Sequence, residues 1–339
     1  MNHVSAAAFR IVQRLRPLKT AEAPSHRDRE LTRQQAYDAQ TDQGGGHEVA
    51  RPRGSSVHDL DSPMTAPQAP PLRIATPAEE AVVARGASEI VPGDVSGGPN
   101  TSHTISVAAL TALLNAVPPG GLKADYQFAV LEENVLGKAT DEARRRTQRD
   151  LKRLYLLRPD SLLFRALRDL WGDDAEAHPL LAGLCALARD PVFRASSSAI
   201  LAVAPGDQIS SGDLAQAVSS QFPANYGGRT LATIGRNTFS SWQQTGHLAQ
   251  VGRFTKIRTQ AICRPASVSY ALLLGHLQGA RGQGLFDTLW ARLLDRPKSQ
   301  LVDLAVAASQ RGLVEFRQAG GVIEVSFHTL LRPFDGEPA

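Results

Sequence analysis

From about Thr104 onward, apolar residues recur every three to four positions, the spacing that lines one face of an α-helix. The pattern predicts helices over Ser106–Val117, Ala124–Leu136, Asp141–Leu157, Ser161–Trp171, Pro179–Arg189 and Pro191–Leu201. Ala202–Asp207 interrupts it with Pro205 and Gly206. A second series follows over Gly212–Phe222, Arg229–Gln244, Ala266–Leu277, Leu285–Leu294 and Lys298–Gln310. Two stretches read as extended instead. His247–Ile262 has no helical stripe and mixes Ile, Val, Phe and Thr with basic residues. Leu313–Arg317 and Val322–Phe327 flank the short link Gln318–Gly321, a β-hairpin pattern.

The first hundred residues lack that periodicity. Of 19 aromatic residues only Phe9 and Tyr37 precede Tyr126, and Thr41–Asn100 holds eight Gly, eight Pro and no aromatic. So little apolar surface cannot offset the entropy of ordering, and residues 1–103 are predicted to be a disordered extension. Met1–Ala21 stands apart, with four Lys/Arg, no acid, and Phe9, Ile11, Val12, Leu15 and Leu18 able to share a helix face. It reads as a transit peptide, an accidental helix, or upstream sequence read into the protein. The predicted fold class is mainly α. A helical domain with a helix-turn-helix spans 104–205, and a helical domain with a basic winged element and a C-terminal β-hairpin spans 206–339.

Composition narrows the chemistry. Two cysteines in 339 residues, Cys185 and Cys263, exclude a disulfide scaffold and a four-cysteine zinc site. No apolar run reaches the ~18 residues a membrane helix needs, so the expectation is a soluble, cytoplasmic protein with no membrane partner. The net charge of +4 hides a segregation of sign. Leu136–Arg168 holds ten Lys/Arg against four acids; Leu214–Phe286 holds seven Lys/Arg and no acid in 73 residues. The two windows carry +13, leaving −9 elsewhere. Basic clusters without neighbouring acids are the electrostatic footprint expected for a phosphate backbone.

The first window has helix-turn-helix grammar. A helix predicted to end at Leu136 is followed by Gly137, suited to a left-handed cap, then by Lys138, Ala139 and the N-cap residue Thr140. In the next helix Ala143, Thr147, Leu151 and Leu154 form an apolar stripe, while Arg145, Arg146, Arg149, Lys152 and Arg153 fall on the other side. A solvated basic face on an ordinary bundle helix is the alternative. In the second window, Arg229–Gln244 reads as the helix of a winged element. It carries Arg236, hydroxyl and amide side chains, and the packing anchor Trp242. The extended arm beyond it places Arg253, Lys256 and Arg258 along a phosphate backbone. The alternative there is a hairpin whose bases meet the negative remainder of the protein.

Catalytic signals are poor. The nine histidines are scattered, and His-Glu-x-x-His and Cys-x-x-Cys are absent. Gly279, Gly282 and Gly284 lack the spacing and preceding strand of a dinucleotide loop, and Gly137-Lys138 lacks the Ser or Thr of a phosphate loop. The reading is a non-enzyme without metal or cofactor.

The run Asn134-Val135-Leu136-Gly137-Lys138-Ala139-Thr140 with its Arg-rich helix to Tyr155, then Ser240-Ser241-Trp242 with Thr245-Gly246-His247-Leu248, resembles BrxA, the small helical subunit of BREX phage-resistance systems. The resemblance spans roughly Tyr126–Phe327; the long N-terminal extension and longer middle depart from it. It implies a two-part helical protein that binds double-stranded DNA beside methyltransferase, ATPase and phosphatase-like subunits, with Lys138, Arg145 and Arg149 at or near the DNA. A scaffold whose basic surface meets acidic partner proteins, and an RNA-binding helical protein, remain alternatives.

Overall fold

The computed structural model describes residues 77–252 and 255–334. Helices dominate. In chain order they are α1 (Pro77–Glu89), α2 (Val107–Ala116), α3 (Lys123–Leu131), α4 (Asp141–Tyr155), α5 (Leu162–Trp171), α6 (His178–Arg189), α7 (Pro191–Ala195) and α8 (Ser197–Ala202). After strand β1 (Gln208–Ile209) come α9 (Ser211–Gln221) and α10 (Gly228–Gln244), then strands β2 (Leu248–Gln250) and β3 (Lys256–Arg258). The C-terminal part holds α11 (Pro265–Leu277), α12 (Leu289–Arg292), α13 (Lys298–Gln310), β4 (Glu315–Ala319) and β5 (Val322–Ser326).

The core is built around two helices that are apolar on nearly every side. In α11 twelve residues are buried, His276 being the exception; in α6 every residue from Leu180 to Ala188 is buried. A helix without a polar face has no side to give to water, so other helices wrap it. Helices α5, α6, α12 and α13 pack on α11, and α2, α4 and α5 pack on α6. On α11, Ser269 Oγ donates to the Pro265 carbonyl at 3.0 Å and the Tyr270 hydroxyl to that of Leu163 at 3.0 Å, while the buried Ser267 Oγ has no hydrogen-bond partner among the described residues. One hydrophobic cluster runs from Val82 to Leu331 and takes in Leu163, Leu184, Leu214, Trp242 and Leu248, on both sides of position 205.

The predicted start of the folded region at residue 104 is corrected. Helix α1 docks on α5, and the fit depends on Gly86: a Cβ there would stand 2.3 Å from Leu162 Cδ2. At its end the buried Glu89 carboxylate accepts hydrogen bonds from Ser161 Oγ (2.9 Å) and from the backbone N–H groups of Leu162 (3.2 Å) and Leu163 (2.9 Å). It thereby satisfies donors that α5 leaves without helical partners, and its charge suits the positive helix end. Farther on, Asn100 is wholly buried, its N–H and Nδ2 donating to Asp190 Oδ2 at 2.7 and 3.0 Å and its Oδ1 accepting from Ser241 Oγ at 2.7 Å. Residues 77–103 are thus part of the fold. Met1–Ala21 and the disorder expected up to residue 76 lie outside the described residues.

Strands β1, β2 and β3 form an antiparallel sheet in the order β1-β3-β2, with Ile209 opposite Lys256 and Leu248 opposite Arg258. The chain therefore runs α8, β1, α9, α10, β2, β3, and its last strand closes between the other two. Helices α9 and α10 cross closely at Gly235, where a Cβ would lie 2.2 Å from the Ser211 carbonyl. A satellite core of Val192, Val218, Phe222 and Ile234 sits beside the crossing. The second hairpin, β4–β5, pairs Glu315 with Ser326 and Ala319 with Val322, as its glycine-containing link predicts.

Candidate nucleic-acid interface

Helix α4 begins as its sequence predicts, Thr140 Oγ1 accepting from the Ala143 N–H at 3.2 Å with Asp141 and Glu142 in the first turn. The connection before it differs. Helix α3 ends at Leu131, so nine residues, Glu132–Thr140, separate the two helices where a three-residue turn is predicted. Asn134 explains the early stop. It takes φ +52°, and its side chain grips Lys138 from both sides: Oδ1 accepts the Lys138 N–H at 2.8 Å and Nδ2 donates to the Lys138 carbonyl at 3.0 Å. A local side-chain clasp of this kind competes with helix continuation.

Leu151, Leu154 and Tyr155 bury one face of α4, and Arg145, Arg146, Arg149, Lys152 and Arg153 are exposed on the other. Their partners differ. Arg144 is held by Asp141 (2.8 Å) and the Leu131 carbonyl (2.7 Å), and Arg146 reaches Glu142 at 3.4 Å. Among the described residues, the side chains of Arg145, Arg149, Lys152 and Arg153 have no hydrogen-bond or ion-pair partner. Lys138 is half-buried, likewise without a side-chain partner.

A cleft of about 370 Å³ links this helix to α10. Lys138, Arg146 and Asp150 line it from the α4 side, Asn237 from α10, and His103 from the segment between them. His103 Nε2 lies 3.1 Å from Asp150 Oδ2. On α10, Arg229, Thr230, Arg236 and Gln243 are exposed, and no acid occurs anywhere along the helix. Arg236 donates to Thr233 Oγ1 at 2.9 Å. Asn237 Nδ2 donates to the Asn100 carbonyl at 3.1 Å, fixing α10 to the chain leading into α2. Comparison with family models, curated proteins and solved structures finds no match to this chain.

The extended arm departs most from expectation. Lys256 is 6% exposed and Arg258 2%. Period-two alternation puts both on one face of β3, and that face is the inner one; Ile257 between them is the half-exposed residue. Lys256 Nζ donates to the Phe239 carbonyl at 3.0 Å and sits 4.0 Å from the centre of the Phe239 ring. Arg258 pairs with Asp295 at 2.8 Å and donates to the carbonyls of Ile200 (3.1 Å), His247 (3.3 Å) and Thr259. The assignment of these two residues to a phosphate surface is corrected: both are spent inside the protein. Arg253 lies outside the described residues.

Sequence reasoning missed three participants. Arg229 opens the acid-free helix and could have been named with Arg236. Asn237 follows Arg236 directly, but only the fold turns it into the cleft. His103 sits just before the point where the folded region was predicted to begin, which removed it from consideration.

Burial pushes the Cys185 and Cys263 thiols up to about 12, so neither is a thiolate near neutral pH. Burial, with Arg258 and Arg296 adding to it, drives His247 down to about 3. Its Nε2–H donates to the Leu293 carbonyl at 2.9 Å, so Nδ1 is the acceptor facing Thr245 Oγ1 at 2.7 Å. Among the described residues no group of three or more His, Cys, Asp or Glu is placed to hold a metal ion, and no helix is long and apolar enough to cross a membrane.

Proposed function

We propose that this chain binds double-stranded DNA through two elements flanking one cleft and has no catalytic activity of its own. The observation that carries the reading is the exposed α4 face, where Arg145, Arg149, Lys152 and Arg153 lack internal partners, beside an α10 that carries no acid. Exposed cations without counter-ions are the groups that release condensed counterions when a polyanion binds. The order α8-β1-α9-α10-β2-β3, with β3 central, supports a winged-helix reading in which α10 is the recognition helix and the β2–β3 turn the wing. The nine-residue link before α4 argues against a helix-turn-helix there, so α4 contributes phosphate contacts. The motifs at Asn134–Thr140 and Ser240–Leu248 support a further assignment: an accessory subunit of a BREX-type defence system, acting beside methyltransferase, ATPase and phosphatase-like partners.

Anisotropy titration of duplex DNA over a salt series tests the reading. Six contacts (Arg145, Arg149, Lys152, Arg153, Arg229 and Arg236) imply a slope of log K against log salt of about −5. Replacing Arg145 and Arg149 by Glu weakens binding to every duplex and flattens the slope by about 2, with the helical circular dichroism unchanged. Replacing Arg229 and Arg236 does the same independently. Duplex affinity equal to wild type in both variants would sink the DNA reading and leave acidic partner proteins as the ligand of this surface.

A further inference from the structure

Helix α5 carries Arg165, Arg168 and Asp169 at a spacing that puts all three on neighbouring faces. Asp169 is taken by Arg332, which donates to its two carboxylate oxygens at 2.5 and 3.0 Å. Neither arginine makes an ion pair of its own among the described residues, and the Asp169 and Glu89 carboxylates act on Arg165 only at longer range. Arg165 is only 7% exposed; its Nη2 donates to the Arg332 carbonyl at 2.6 Å and its Nη1 to that of Pro159 at 3.4 Å. Arg168 donates to the Val117 carbonyl. The Nε of each is buried with no acceptor, and among the described residues no carboxylate lies within ion-pair distance of either guanidinium. Burial, with the neighbouring Arg332 adding to it, lowers the Arg165 pKa even though Asp169 and Glu89 oppose the shift. A buried cation without a contact ion pair carries a penalty that an incoming anion would relieve.

Room for that anion exists. Arg165, Arg168 and the Asp169–Arg332 ion pair, in which the Asp169 carboxylate is already neutralised, share the lining of a recess of about 240 Å³ with Leu122, Tyr126, Phe164 and Phe334. At the ~30 Å³ that each water-sized group fills, this holds a body of about eight heavy atoms. Tyr126 and Phe164 meet edge to face, their ring centres 5.2 Å apart, and form a firm apolar wall. A wider groove of about 710 Å³ adjoins it, sharing Arg168, Asp169 and Arg332 in its lining.

We propose that this recess binds a carboxylate carried on a short apolar body, the carboxylate against Arg168 and Arg165 and the body against Tyr126, Phe164 and Phe334. The aromatic walls favour a single charge: a phosphate dianion would leave its second charge against hydrocarbon. The proposal does not depend on the DNA reading, since α5 contributes nothing to that surface.

Calorimetric titration of the full chain with hexanoate is the test, with hexylamine and inorganic phosphate as comparators. Hexanoate should bind saturably with a dissociation constant on the order of 1 mM, the range for eight heavy atoms, while neither comparator binds. Arg168→Gln should weaken hexanoate at least about tenfold. Leu122→Asp keeps the result interpretable should Arg168→Gln disturb folding: residue 122 is 59% exposed, and a carboxylate at the rim should weaken binding about fivefold at an unchanged unfolding temperature. No saturable heat with hexanoate, binding of phosphate or hexylamine as tight as hexanoate, or wild-type affinity in Leu122→Asp would each overturn the proposal.

Discussion

From Arg144 onward helix α4 looks like strand β3 in sequence, each a basic segment with at most one acid, yet their charges meet opposite fates. On α4 a buried apolar stripe turns Arg145, Arg149 and Lys152 out to solvent. On β3 the alternation runs the other way, so Lys256 and Arg258 enter the interior and are satisfied there by carbonyls, an aromatic ring and Asp295. A local shortage of acid therefore does not mean a surplus of exposed positive charge. A buried guanidinium can be satisfied by carbonyls that no charge count includes and by an aspartate 37 positions away. Which face an element turns inward decides whether its cations are available to a partner.

The contrast can be broken most forcefully at Arg258. Replacing it with Ala leaves Asp295 without its ion-pair partner and three carbonyls without their donor, and should lower unfolding stability by about 3–5 kcal/mol in denaturant titration. The α4 double substitution Arg145→Glu/Arg149→Glu should stay within about 0.5 kcal/mol of wild type, since both residues lie on an exposed face without internal partners. Equal losses in the two variants would erase the distinction.

Acid titration sharpens it next. Folded His247 stays neutral down to about 3, whereas the unfolded chain protonates it near its ordinary value of 6.5. Its contribution is complete above pH 6.5 and falls by about 1.4 kcal/mol per pH unit below it, or about 2 kcal/mol by pH 5. His276, lowered to about 4 by burial and Arg281 but partly exposed, adds a smaller loss of the same sign. His247→Gln should remove its share of the slope; an unchanged slope would show that His247 is not held neutral in the fold.

The smallest effect is at Lys256. Met keeps its stem against Phe239 and removes only the charge, its hydrogen bond and the cation–π contact, so Lys256→Met should cost about 1 kcal/mol or less. A loss matching that of Arg258→Ala would place the two side chains in one inseparable network.

Much of the helical framework was legible because its signals are local. Lys298–Gln310 is a helix over the very range its pattern predicts, and Thr140 caps α4 through the contact its position implies. Helix α1 was not legible. Its thirteen residues carry helix signals of their own, Pro77 at the start and Glu79 and Glu80 in the first turn, but they are short and set inside a Gly- and Pro-rich stretch, and what secures them is distant: Leu162 against Gly86, and the α5 N-terminus against Glu89. The close of α3 was missed because Asn134 ends it through a clasp on a residue four positions ahead, which periodicity does not register. At the candidate site the α4 face could be read from helical spacing. The inward face of β3 could not, because a three-residue strand fixes its orientation only through its partners.

The burial of α11 on almost every side has a consequence for synthesis. Residues 265–277 leave the ribosome after α1–α10 but before α12 and α13, two of the helices that cover them. Until the segment from α11 through α13 emerges, the nascent chain carries α5 and α6 surfaces awaiting α11, and then an α11 awaiting its cover. Such a chain completes this interior only once α13 has been made, and the apolar surface it shows meanwhile is the kind that molecular chaperones shield.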